Sequence, residues 1–171
     1  MVEVSVARLG LDSTSNAYVV FLREREGRRV LPIWIGRPEA ESILMQMNNV
    51  KHERPLTHDL CKVLITGLGG TLRRVNITHV KASMYFALLH IETSRGLVEI
   101  DARPSDSIAV ALRLSAPVYV AEGLLTELDE DEDVDSPSMP DGPPVPSELT
   151  ADALKAYLER LQPEDFGRFL P

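Results

Sequence analysis

The 171-residue sequence has one cysteine, Cys61, so it offers neither an internal disulfide nor a zinc-ligand spacing. Residue type makes Cys61 a small buried hydrophobe rather than a nucleophile. No stretch approaches the ~18 uninterrupted apolar residues of a spanning helix, and Met1-Val2-Glu3-Val4 has no basic region followed by an apolar run. These absences predict a cytoplasmic protein without membrane association. A glycine-rich phosphate loop, a zinc motif, a nucleophile elbow and internal repeats are missing too. That excludes several common enzyme classes and leaves a carboxylate-metal site open.

What is present is an ordinary globular composition, 44% hydrophobic and 26% charged, enough for one domain and an appendage. The net charge of -8 is unevenly spread. Residues 1–123 carry 15 Lys and Arg against 13 Asp and Glu, whereas residues 124–171 carry 3 against 13. The acidity belongs to the tail, so the folded part can still offer basic groups to phosphates.

Apolar alternation at Val2, Val4 and Val6, a turn at Asp12 to Asn16 and a second run from Ala17 to Leu22 predict an antiparallel hairpin. Val30 to Gly36 reads as a third strand, and Pro32, which cannot donate to a ladder, puts it near a sheet margin. From Pro38, the positions Ala40, Ile43, Leu44 and Met47 form one helical face expected to pack on the sheet. Thr57 is the expected cap of a second helix ending near Gly67. Three strands follow, at Leu72 to Lys81, Tyr85 to Thr93 and Leu97 to Asp101, then a helix opened by Pro104 and a short strand at Pro117 to Ala121.

The predicted class is therefore α+β, an antiparallel-rich sheet with helices packed against it, spanning residues 1–125. An acidic, proline-rich linker is expected over 126–147, and a C-terminal helix over 148–171 with Ala151, Leu154, Leu158 and Leu161 on one face. The linker acts either as an electrostatic gate over a basic surface or as a plain solvated tether.

Chemistry-bearing residues concentrate at helix starts. Asp101, Arg103, Ser105 and Asp106 fall where a strand runs into the helix opened by Pro104, and free backbone N–H groups there suit an anion or a metal-bridged phosphate. Proline and aspartate in a first turn also stabilise any helix. Arg54-Pro55-Leu56-Thr57-His58-Asp59 combines a cation, a hydroxyl, an imidazole and a carboxylate. Three Arg-Pro pairs, at Arg37, Arg54 and Arg103, precede helix starts; their guanidiniums converge on one anion only if those starts meet in space. His52, His79 and His90 lack any comparable setting.

Leu31-Pro32-Ile33-Trp34-Ile35-Gly36 with Glu39-Ala40, then Arg54-Pro55-Leu56-Thr57-His58-Asp59, then Asp101 to Ala109 resemble, in order and spacing, the bacterial bifunctional nuclease domain family. The resemblance covers about residues 1–125 and implies an α+β fold, degradation of DNA and RNA, and association into homo-oligomers. Carried over by motif, it implies Glu39, His58, Asp59, Asp101 and Asp106 as catalytic groups and Arg54, Arg103, Thr57 and Ser105 as phosphate-binding groups. Mg²⁺ or Mn²⁺ on Asp59, Asp101 or Asp106 fits that picture, with His58 exchanging a proton at the attacking water or the leaving oxygen. The alternative is a non-catalytic domain that binds an anionic metabolite or a protein partner through the same residues.

Overall fold

In the computed structural model, residues 1–12 and 17–127 are described. They form eight strands and three α-helices. The strands are β1 (Val2–Asp12), β2 (Ala17–Glu24), β3 (Arg29–Ile35), β4 (Thr71–Lys81), β5 (Met84–Thr93), β6 (Gly96–Ala102), β7 (Val118–Val120) and β8 (Thr126–Glu127); the helices are α1 (Arg37–Met47), α2 (Thr57–Gly67) and α3 (Pro104–Leu114). One sheet holds all eight strands in the order β6-β5-β4-β7-β1-β2-β3-β8. Only the β4–β7 pair is parallel among the described pairings. The chain is thus α+β, as its residue pattern predicts.

The β1–β2 hairpin forms in the expected antiparallel sense, from Val4 opposite Glu24 to Asp12 opposite Ala17. A register shift between Val6 and Arg8 inserts an extra residue and resets the side-chain alternation. Val2, Val4 and Val6 therefore share a face with Leu9, and β1 runs well past the valines that announce it. β3 lies one strand from the margin, and β8 pairs only with Arg29 and Val30. Pro32 stands opposite Phe21 of β2 and outside the two residues that pair with β8.

The helices cover one face of this sheet. The core cluster includes Val20 and Leu22 of β2, Val75 and Ile77 of β4, Ile43 of α1 and Ile108 of α3, all essentially inaccessible to solvent. α3 carries most of the burial: eight of its eleven residues are buried, and its left-handed terminus at Ser115 stops it before β7. Its start at Pro104, straight out of β6, is where the apolar pattern places it.

Four details differ from the sequence pattern. Met47 is exposed although Ala40 and Ile43 on its face are buried; the last turn of α1 overhangs the core, and Asn48 closes it on the Leu44 carbonyl. Thr57 does not cap α2. Leu56 holds the N-cap position, and its N–H donates to Asp59 Oδ2 at 3.0 Å, so a side chain inside the first turn reaches back. Cys61 is half-buried rather than buried. Thr126 and Glu127, expected in the linker, form β8 against β3.

No residue of α2 is fully buried: Cys61 and Ile65 touch the core, while Leu60, Val63 and Leu64 are each more than half exposed. The chain divides into two units, Met1–Val134 and Asp135–Pro171. The expected turn at 13–16, the bulk of the acidic linker and the C-terminal helix lie outside the described residues.

Candidate functional site

The starts of all three helices meet on one side of the molecule. Arg103, the N-cap of α3, places Nη2 2.8 Å from Glu39 Oε1 in the first turn of α1. His58, in the first turn of α2, places Nε2 3.1 Å from Asp106 Oδ1 in the first turn of α3. The first intrahelical bonds run from Ala40, Leu60 and Ser107. The amides of Glu39, Thr57, His58, Asp59, Ser105 and Asp106 therefore precede them and have no intrahelical acceptor. Each helix adds the positive end of its dipole to the same region.

Asp106 is the centre of this junction. Arg103 grips its carboxylate with two groups, Nε to Oδ2 at 2.7 Å and Nη2 to Oδ1 at 3.2 Å. Partial burial opposes ionisation of Asp106, but the hydrogen bonds from Arg103 and His58 outweigh it and hold the carboxyl below its ordinary range. Asp106 in turn raises the Arg103 guanidinium further above its already high value. Arg103 itself is 68% exposed and Glu39 only 15%, so the guanidinium lies at the mouth and the carboxylates behind it. Gly36 leaves room for Glu39 to fold back over the start of α1, where a Cβ would collide with its carboxylate.

Two residues that no motif marks lie behind the junction. Ser42 Oγ is 2.8 Å from His58 Nδ1, which extends the polar chain from α1 through α2 to α3. Arg113, in the last turn of α3 and 3% exposed at its side chain, places Nε 2.6 Å from Asp59 Oδ1. It also donates to the carbonyls of Ser42 and Ala109. Burial works against the Asp59 carboxylate, and hydrogen bonds from Arg113 and the Leu56 N–H reverse that effect and lower its pKa. For Arg113 the available signal was a cation four residues after Ala109 on an otherwise apolar helical face; Ser42, three residues after Glu39, carried no such signal.

The junction gathers Glu39, His58, Asp59, Arg103 and Asp106 of the sequence candidates. Ser105 is buried beneath the start of α3. Thr57 is exposed at the first position of α2, and Arg54 is exposed in the preceding loop, outside the described ion pairs of the junction. Arg37 pairs with Glu41 of its own helix, so one of the three Arg-Pro arginines enters the cluster. Asp101 does not join it. Ala102 pairs with buried Ala87, and Asp101 pairs with Leu88, so the pleat directs Asp101 to the sheet face opposite the helices.

A hard divalent cation needs several free oxygens. Both oxygens of Asp59 accept hydrogen bonds, from Arg113 and the Leu56 N–H, and both oxygens of Asp106 do so from Arg103 and His58. With Asp101 on the other face, the proposed donor set of Asp59, Asp101 and Asp106 does not fit Mg²⁺ or Mn²⁺ in this arrangement. Among the described residues no group of three or more His, Cys, Asp and Glu forms a metal-binding cluster. No helix among them is long and apolar enough to cross a membrane.

The sequence pattern described as the bifunctional nuclease domain matches residues 20–133. An uncharacterized protein of Mycobacterium tuberculosis is 36% identical over 172 residues, covering 97% of this chain and 98% of its own length. "Bifunctional nuclease 1" of Oryza sativa subsp. japonica is 26% identical over 64% of this chain and 34% of its own length. "Bifunctional nuclease 2" of Arabidopsis thaliana is 30% identical over 53% of this chain and 29% of its own length.

Proposed function

Because the chain belongs to the bifunctional nuclease domain family, we propose that it cleaves phosphodiester bonds in DNA and RNA at the junction of α1, α2 and α3. The observation that carries this reading is the Arg103–Asp106–His58 chain lying among three helix starts. Arg103 is the exposed cation that a phosphate meets first, and the amides of Ser105, Asp106 and Glu39 supply further donors for its oxygens. When a phosphate draws the guanidinium away, Asp106 loses two donors and keeps His58. Its freed oxygen is then placed to take a proton from an attacking water, while Glu39, released from Arg103, faces the same space.

In this reading His58 holds Asp106 in place rather than itself abstracting a proton, because both ring nitrogens are engaged within the protein. Thr57 and Arg54, exposed beside the start of α2, contact the backbone further along the strand.

The test is cleavage of single-stranded and duplex DNA and RNA by the purified full chain, with Mg²⁺, with Mn²⁺ and with chelator. Asp106→Asn and His58→Ala, if folded, are each expected to lower the rate about 10²–10⁴-fold. Activity that survives both changes places the chemistry elsewhere. A wild-type protein that cuts none of these substrates under any of the conditions overturns the reading.

One observation favours the non-catalytic alternative: the carboxylates of Glu39, Asp59 and Asp106 all have arginine partners. A site so neutralised suits reversible capture of an anionic metabolite or a protein's acidic group. Binding of such an anion with no hydrolysis by wild type selects it.

The proposal extends to a homo-oligomer. β6 leaves one edge of the sheet unpaired among the described strands, and its Val98 and Ile100 remain exposed on the helix side. Ile65 of α2 and Ile91 both approach Gly70, and Ile91 pairs with Val98, so this edge is continuous with the apolar face of α2. A second copy related by a two-fold axis offers the same bare strand and the same apolar face in return.

A further inference from the structure

Ser42 is the residue whose environment the fold alone does not explain. It is one of the three buried residues of α1, with Ala40 and Ile43, and is 9% exposed. A serine inside a helix ordinarily points to solvent or returns its hydroxyl to the carbonyl four residues earlier. Here Oγ lies 2.8 Å from His58 Nδ1 instead. The other ring nitrogen, Nε2, faces Asp106 Oδ1 at 3.1 Å.

These two contacts determine where the imidazole proton sits. An ionised carboxylate only accepts hydrogen bonds, so Nε2 carries the proton when it faces Asp106. In the neutral ring Nδ1 is then a bare lone pair, and the Ser42 hydroxyl is the donor that satisfies it. An apolar residue at this position leaves Nδ1 with no partner in the described network, and the ring is free to turn or to change tautomer. The main chain of Ser42 is secured separately, because its carbonyl accepts from Arg113 Nη1 at 3.3 Å.

We infer that Ser42 is a positioning residue that acts through His58: its hydroxyl locks the ring in the Nε2–H form, so that His58 remains the donor to Asp106 when Arg103 leaves. The functional half of this inference rests on the nuclease reading above; the tautomer half does not.

The experiment uses the full chain with ¹⁵N-labelled histidine. Long-range ¹H–¹⁵N spectra are recorded at about pH 8, above the ordinary histidine pKa of about 6.5. The wild-type His58 ring is expected in the Nε2–H form. Ser42→Ala is expected to give a tautomer mixture, and Ser42→Thr, which keeps the hydroxyl, to restore the wild-type pattern. Where wild type cleaves nucleic acid, Ser42→Ala is expected to lower turnover about tenfold to a hundredfold with little change in substrate affinity, and Ser42→Thr to recover most of it.

A wild-type ring in the Nδ1–H form overturns the inference, and it needs no variant to fold. So does a folded Ser42→Ala protein with the wild-type tautomer, whereas an altered tautomer with unchanged turnover overturns the functional half. A wild type that shows the Nε2–H form and cleaves nothing overturns the nuclease reading and supports the tautomer assignment.

Discussion

Arg113 Nε donates to Asp59 Oδ1 at 2.6 Å across 54 residues of sequence, joining the last turn of α3 to the first turn of α2. The Arg113 side chain is almost wholly inaccessible, and its Nη1 donates to the carbonyls of Ser42 and Ala109. One side chain thereby sets the position of α2 against both other helices. This matters because α2 has no fully buried residue of its own to hold it.

Removing that cation is expected to cost far more than removing a surface arginine. Arg113→Ala leaves the partly buried Asp59 carboxylate without its cation, a change of about 3 kcal/mol in unfolding free energy. Arg25→Ala, which breaks an exposed pair with Glu3, is the control and is expected to keep the wild-type urea midpoint. Urea titration of both variants checks the contrast.

The junction also predicts the pH dependence of stability. Asp59 and Asp106 both titrate below their ordinary values in the folded protein. A depressed carboxyl pKa means that the unfolded chain binds the proton first. The contribution of these groups is therefore complete above about pH 4, the ordinary aspartate value, and is lost as pH falls through the lower folded values. Asp59→Asn combined with Asp106→Asn is expected to flatten the acid limb of a melting-temperature profile. An acid limb as steep as that of wild type contradicts the assignment.

Arg103 is expected to separate binding from stability. Its side chain is 68% exposed and its pairs with Glu39 and Asp106 lie at the mouth of the junction. Arg103→Ala is expected to weaken nucleic-acid binding at low salt and to reduce the magnitude of the salt slope by about 1, the loss of one phosphate contact. Thermal melting is expected to change little. An unchanged salt slope removes Arg103 from the phosphate path.

The exposed face of α2 makes a fourth prediction. Leu60→Glu and Leu64→Glu are both at positions more than half exposed, so neither opens a cavity. Light scattering on wild type is expected to show an oligomer, and the double variant is expected to dissociate to monomer with its helical content intact. A wild type that is monomeric at high concentration removes the self-association proposal.

Local pattern by itself determined most of the secondary structure. Alternating valines, the prolines at 38 and 104 and the apolar spacing of Ile108, Ala111 and Leu112 act within a few residues, and the hairpin, α1, α3 and the β4–β6 meander appear where these signals lie. The three motif blocks likewise hold Glu39, His58, Asp59, Arg103 and Asp106, along with Asp101 and Arg54, which stand outside the junction. What the sequence left open depended on pleat and distance. Asp101 stands two residues from Arg103, yet one step of strand alternation turns it to the opposite face. Ser42 and Arg113 belong to no block, because a helical hydroxyl and a helical cation acquire meaning only when His58 and Asp59 are packed against them. Whether three helix starts meet is a property of how the helices pack on the sheet, and that was decided by side chains brought together from positions 39, 58 and 106.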